Sequence, residues 1–401
     1  MIITKFKARI LTSGLLVATM LTVVAGASGG PASATAKKSP PYLVGVPMPM
    51  TGAEAQAGTQ IFNAELMAVQ QVNKHGGIFG HPIKLLEQDD ACDAGTAVNA
   101  ANKLISEGVQ AIVGGYCSGA TLPVEPIIAR AGIPYVMPAA NSPELTTGGY
   151  KNVFLIDPSG SGDGAEAAAF FKQQGITKVF IIDDQSSFGV AIANAAAADI
   201  TKDGGTVVAG GVQSIPATSN DFSAVISQIK NSGATGIYWS GYFSQAAQFA
   251  TQLNAANVIG PSGTAKFVVA DGSVDATYLS GAGAAANGTY ATIAALASGV
   301  GNVLNTHADQ AFNVAYHKEF KSAPGPYSTF GYDAITALVL AARHVKSIKP
   351  GRVIAGLRSL HFNGLTGKVS FDKTGNRLGA VMDLLEVVNG QYTLANPQPK
   401  L

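Results

Sequence analysis

Four side chains in this chain suit the capture of a small zwitterion. Ser118 and Asn141 sit in the loops Tyr116-Cys117-Ser118-Gly119 and Pro138-Ala139-Ala140-Asn141-Ser142, each directly after a short apolar run. A hydroxyl or amide donor beside loop N–H groups suits a carboxylate. Asp271 ends the apolar run Phe267 to Ala270 and can pair with an ammonium, and Tyr242, after Tyr238-Trp239-Ser240-Gly241, can cover a ligand with its ring. In open α/β sheets, ligands bind beyond the carboxyl ends of strands, which is where all four stand. The bland alternative for Ser118 and Asn141 is local turn or helix-cap bonding.

Catalytic signatures are poorer. Gly160-Ser161-Gly162-Asp163-Gly164-Ala165 fits the dinucleotide fingerprint, follows a strand, opens a helix and has Asp183 about 20 residues on. Asp163 would, however, place a carboxylate where a pyrophosphate must approach. The competing reading is a flexible crossing between domains, with Asp163 capping the helix. There is no metalloprotease-type His pair, no Gly-Lys-Ser/Thr phosphate loop and no Gly-x-Ser-x-Gly elbow. The histidines His75, His81, His307, His317, His344 and His361 are scattered and read as surface or turn residues. The expectation is a protein that is not an enzyme and needs no cofactor or metal; an exported nicotinamide-dependent enzyme is the contrasting reading.

The elements that must position these residues alternate between strand and helix. Apolar runs at Leu43 to Met48, Ile83 to Leu86, Ala111 to Val113, Tyr135 to Met137 and Val153 to Ile156 read as buried strands, with helical patterns near Gln60 to Asn73, Ala94 to Ser106 and Leu122 to Ala131. A second series has strands at Val179 to Ile182, Val207 to Val208, Gly236 to Trp239 and Phe267 to Ala270, and helices near Gly189 to Lys202, Phe222 to Lys230 and Gln245 to Ala256. Two doubly wound sheets of four or five strands follow. Helices near Asp309 to Phe320 and Tyr332 to Ser347 then give way to strands at Lys368 to Phe371 and Met382 to Val388. No low-complexity linker marks a boundary, so the chain is expected to cross between domains repeatedly.

Met1 to about Ala34 combines Lys5, Lys7 and Arg9 with an apolar run and the small-residue site Ala32-Ser33-Ala34, the layout of a secretory signal. A membrane anchor is the alternative, for which the apolar run is short of the roughly 20 residues a span needs. No cysteine ends the signal, so a periplasmic or secreted, non-lipidated protein is expected. Cys92 and Cys117, the two cysteines, then invite a disulfide; two buried thiols or a redox pair are the alternative. With 26 basic and 25 acidic residues there is no electrostatic footprint for nucleic acid. Partners should be small molecules or other proteins.

The segment Gly76 to Tyr150 closely resembles the periplasmic leucine/isoleucine/valine-binding proteins that feed branched-chain amino acid ABC transporters. The residues that carry the likeness are Asp89-Asp90-Ala91-Cys92-Asp93, Ala101-Asn102-Lys103, Gly115-Tyr116-Cys117-Ser118, Pro138-Ala139-Ala140 and Pro143-Glu144-Leu145-Thr146. Weaker similarity runs from about Tyr42 to Val388. The resemblance implies a type I periplasmic binding protein fold, α/β, with two doubly wound lobes joined by three crossing strands and the ligand in the cleft between them. It implies lobe I over 41–157 and 291–363, lobe II over 158–290 and 364–390, and a tail over 391–401. It implies a Cys92–Cys117 disulfide, with Ser118, Ala139 and Asn141 holding the α-carboxylate and part of the ammonium, opposite Tyr242 and Asp271. Ala57 stands where well-known members place tyrosine, Tyr116 where they have an aliphatic residue, Asn141 where they have threonine and Asp271 where they have glutamate. The implied function is lobe closure on an apolar or small neutral amino acid by a monomer that delivers it to permease subunits. Amides, urea and aromatic carboxylates are alternative ligands, and a sensory subunit presenting its closed form to a receptor fits the same residues.

Overall fold

The computed structural model describes residues 39–294 and 307–400. The expected secretory signal over 1–34 lies outside the described residues, among which no helix is long and apolar enough to cross a membrane.

The first sheet is wholly parallel. Its strands are β1 (Tyr42–Met48), β2 (Ile83–Asp89), β3 (Ala111–Val113), β4 (Tyr135–Met137) and β5 (Val153–Leu155), in the order β2-β1-β3-β4-β5. Strands β3, β4 and β5 are buried along their full length, which explains why they read as continuous apolar runs rather than alternating ones. Helices α1 (Ala55–Lys74), α2 (Ala94–Ser106), α3 (Ser118–Thr121) and α4 (Glu125–Ala131) connect them. Asp93 caps α2 by accepting the Thr96 N–H at 2.8 Å. Helix α1 starts five residues before the sequence pattern suggested, because Gly58 is a poor helix former kept for another reason. A Cβ there would stand 1.9 Å from the Pro49 carbonyl oxygen, so only glycine lets the helix leave β1 at this angle.

The second sheet has eight strands rather than four or five. Helices α5 (Ser161–Gln173) and α6 (Ser187–Lys202) flank β6 (Lys178–Asp183), β7 (Thr206–Val207) and β8 (Gln213–Ser214). Helices α7 (Ser223–Ser232), α8 (Phe243–Ala255) and α9 (Ala276–Ala282) alternate with β9 (Gly236–Ser240), β10 (Lys266–Val269) and β11 (Tyr290–Ala294). The parallel core β6, β9, β10, β11 buries Trp239, Phe249 and Phe267. Strand β11 pairs with β10 through Val268↔Tyr290, so the second sheet runs through the lobe boundary expected after residue 290.

The chain then returns to the first sheet. Helices α10 (His307–Phe320), α11 (Ser328–His344) and α12 (Pro350–Arg358) are followed by the hairpin β12 (His361–Gly364) and β13 (Gly367–Ser370). Helix α11 packs on α1, and the core around it takes in Ile335 and Leu338. Finally β14 (Met382–Val388) joins the second sheet antiparallel to β11, and β15 (Gln391–Leu394) pairs with β14. Part of the expected tail is therefore the outer strand of the sheet. Asn389 and Gly390, both at positive φ, make the two-residue turn between β14 and β15.

Candidate functional site

The two loops of the first sheet are tied to each other. Ser118, the first residue of α3, accepts the Ser142 N–H on its Oγ at 3.2 Å, and the Ala140 N–H bonds the Gly115 carbonyl at 3.0 Å. Cys117, immediately before Ser118, is bonded to Cys92 with their Cα atoms 5.4 Å apart, so the disulfide expected from the sequence is present. It couples the β3 loop to the Asp89–Asp93 loop. There Asp89 accepts the Met50 N–H at 2.9 Å and the Thr51 hydroxyl at 2.6 Å, pinning the segment that enters α1.

Asn141 reaches across to the second sheet. Its Nδ2 donates to Asp271 Oδ2 at 2.7 Å and to Asp157 Oδ2 at 3.2 Å. Asp271 follows β10, Asp157 follows β5, and all three are almost fully buried. Asp163 joins them from the first turn of α5, accepting the Thr292 hydroxyl at 2.6 Å. Burial pushes Asp271 up to about 6, against hydrogen bonds from Asn141, the Gly272 N–H and Tyr327. Asp157 and Asp163 are raised well above the usual carboxylate range by burial and by the Asp271 charge. The contact between Asp157 and Asp271 raises the first and lowers the second, so Asp157 keeps its proton and Asp271 is the first to ionise. Arg377, itself buried, is the cation that opposes the Asp157 shift, and its Nη1 is held by the Ile156 carbonyl at 2.8 Å.

Aromatic rings wall the other side. Tyr116 lies 5.9 Å from Tyr242 and edge-on to Tyr327 at 5.7 Å, while Tyr242 stacks on Phe188 at 5.2 Å. Tyr242 is half-buried and its N–H bonds Asp184 Oδ2 at 3.1 Å. Ala57 and Ala139 are buried in the same core. The structure thus gathers Asn141, Asp271, Tyr116 and Tyr242, and places Ser118 on the adjoining loop, where its Oγ serves a loop-to-loop hydrogen bond. Asp157, Asp163 and Tyr327 were not singled out as ligand partners from sequence. Asp157 carried the same signal as Asp271, a carboxylate directly after an apolar strand.

The glycine-rich segment is explained by packing. A Cβ on Gly164 would lie 2.6 Å from the Ala196 backbone nitrogen and one on Gly160 2.3 Å from Ile192 Cδ1, so the glycines let α5 and α6 touch. Gly160 is the α5 cap, and the Asp163 carboxylate points to Thr292 instead of capping the helix. Among the described residues no group of three His, Cys, Asp or Glu side chains is arranged to hold a metal ion.

A pair of α/β sheets with parallel cores, whose strand ends converge on buried polar groups and aromatic rings, defines a binding protein of the type I periplasmic architecture. The chain belongs to the periplasmic binding protein family, whose model matches residues 41–391. That family is one of solute-binding proteins and not of enzymes. The chain is 29% identical over 329 residues, 82% of its length and 85% of the relative's, to the leucine-, isoleucine-, valine-, threonine-, and alanine-binding protein of Pseudomonas aeruginosa. Its fold matches a leucine-binding protein from Thermotoga maritima with TM-score 0.78 and 24% identity, covering 88% of this chain and 97% of that one. It equally matches an ABC transporter solute-binding protein from R. palustris in complex with benzoate, TM-score 0.78 at 21% identity, covering 88% and 95%.

Proposed function

We propose that this protein captures an amino acid outside the cytoplasm and delivers it to the permease subunits of an ABC transporter. The carrying observation is the Asn141 amide lying 2.7 Å from Asp271 across the two sheets. A buried carboxylate with no Lys or Arg in salt-bridge range among the described residues needs a partner, and the ligand's α-ammonium supplies one when it displaces or supplements the amide donor. The Ser118 and Ala139 loops would take the α-carboxylate. The wall of Tyr116, Tyr242 and Ala57 suits an aliphatic side chain and by itself fits the apolar or small neutral class of leucine, isoleucine and valine. Two lobes, one around each sheet, with β11 and β15 on the side of the second, would close on the ligand, because a ligand contacting both stabilises the closed population. The names of the Pseudomonas and Thermotoga relatives support this reading. The benzoate complex of the R. palustris protein favours a second reading, an aromatic carboxylate, against which the acidic site weighs. Calorimetric titration of ligand-stripped protein with amino acids, an apolar amide and benzoate tests it. Micromolar or tighter binding of an amino acid is expected, and binding of benzoate alone would refute it.

A further inference from the structure

Glu54 stands at the entry to α1 and is 6% exposed. Its side chain makes no capping bond to that helix, and its Oε2 has no hydrogen-bond partner. A buried acceptor left unpaired is costly, which calls for an occupant. What surrounds it is acidic and aromatic: burial raises its carboxyl, the charges of Asp275, at the start of α9, and Asp184, directly after β6, raise it further, and the Tyr116 hydroxyl opposes them. Asp184 is fully engaged by the Ser186 N–H and hydroxyl and the Tyr242 N–H, and Asp275 caps α9 through the Thr277 N–H at 2.7 Å. Of these three carboxylates, Glu54 alone combines an unpartnered oxygen with a position beside Tyr116. Among the described residues none of the three is in salt-bridge range of a Lys or Arg. Tyr116 and Tyr242 bear on both Glu54 and Asp271, so the ring pair links the two acidic ends of one cleft.

We propose that Glu54 is a second cation subsite, and that the amino acid carries a terminal positive group there while its α-ammonium rests at Asp271. The ligand class is a basic amino acid: the tyrosine rings cover its methylene stem, and Glu54, with the fields of Asp184 and Asp275, receives the terminal charge. This deepens the proposed amino acid binding and rests on it.

The test is titration of the purified, ligand-stripped protein with lysine, ornithine, leucine and the diamine putrescine, repeated with Glu54→Gln. Lysine or ornithine should bind about tenfold or more tightly than leucine, and Glu54→Gln should erase that preference. Should Glu54→Gln fail to fold, Glu54→Asp, which keeps the charge, should retain the preference. Equal binding of leucine and lysine, or a variant that weakens every ligand alike, would overturn the second subsite and leave amino acid binding standing. Putrescine binding without any amino acid would retain a cation site at Glu54 but reject the basic amino acid. If nothing in the panel binds, both readings fall.

Discussion

The Asn141 side-chain amide joins the two sheets by donating to Asp271 Oδ2 at 2.7 Å while also touching Asp157 Oδ2 at 3.2 Å. One neutral donor thus serves two buried acids, one on each side of the cleft. This is the arrangement an ammonium would improve, since a cation stabilises the ionised form of Asp271 that burial disfavours. Replacing Asp271 with Ala should weaken amino acid binding by about 2 kcal/mol or more. Calorimetry on the folded variant measures it, and an unchanged affinity would remove the ammonium role.

Asn141→Asp places a further carboxyl against Asp157 and Asp271. The variant should melt at a lower temperature than the parent at neutral pH and recover as the pH falls and the carboxyls take up protons. A melting temperature independent of pH would show that the three groups do not interact.

Folded-state pKa values above the unfolded ones fix the sign of the pH dependence. Asp271 rises from 3.8 to about 6 and Glu54 from 4.5 to about 8 on folding, so the ligand-free protein binds more protons than the unfolded chain between about pH 4 and 8. The contribution of these groups is fully present below pH 4 and is lost as pH rises through that window. A cationic ligand pulls the same pKa values down, so its affinity should rise from pH 5 to pH 8 with release of protons. Titration in buffers of different ionisation enthalpy reads the proton count; uptake instead of release would contradict the acidic site.

The Cys92–Cys117 bridge closes a loop of sequence separation 25 and anchors the residue before Ser118. Substituting both cysteines by Ser should cost roughly 3 kcal/mol in the chain-entropy account, seen as a lower urea midpoint. An unchanged midpoint would mean that the loop is ordered without the bridge.

Gly164→Ala separates packing from cofactor binding in the glycine-rich segment. With its Cβ 2.6 Å from the Ala196 nitrogen, the variant should lose about 1–3 kcal/mol through overpacking of α5 on α6. Denaturation checks this, and a neutral effect would return the segment to a ligand-contacting role.

Much of the fold was legible because buried parallel strands such as Ala111–Val113 and Tyr135–Met137 are short apolar runs ending in loop residues. Strand β11 escaped because Tyr290–Ala294 mixes Thr292 and two alanines into the run, and only its neighbours β10 and β14 make it a strand. The β14–β15 hairpin carried its signal openly in Asn389-Gly390. At the site, Asp271 and Asn141 could be found from their places after strands, since that rule needs no tertiary information. Glu54 could not: its neighbours Asp184 and Asp275 lie more than a hundred residues away in the chain, and the segment carrying it is placed by Asp89 through hydrogen bonds no local pattern encodes.

The most direct test of the central claim compares the best-binding amino acid of the panel with the same molecule lacking its α-amino group, by calorimetry on the ligand-stripped protein. A buried ammonium–carboxylate pair at Asp271 predicts that the deaminated acid binds at least about 30-fold more weakly, the equivalent of about 2 kcal/mol. Equal affinity for the two would contradict it and would make the site one for carboxylates.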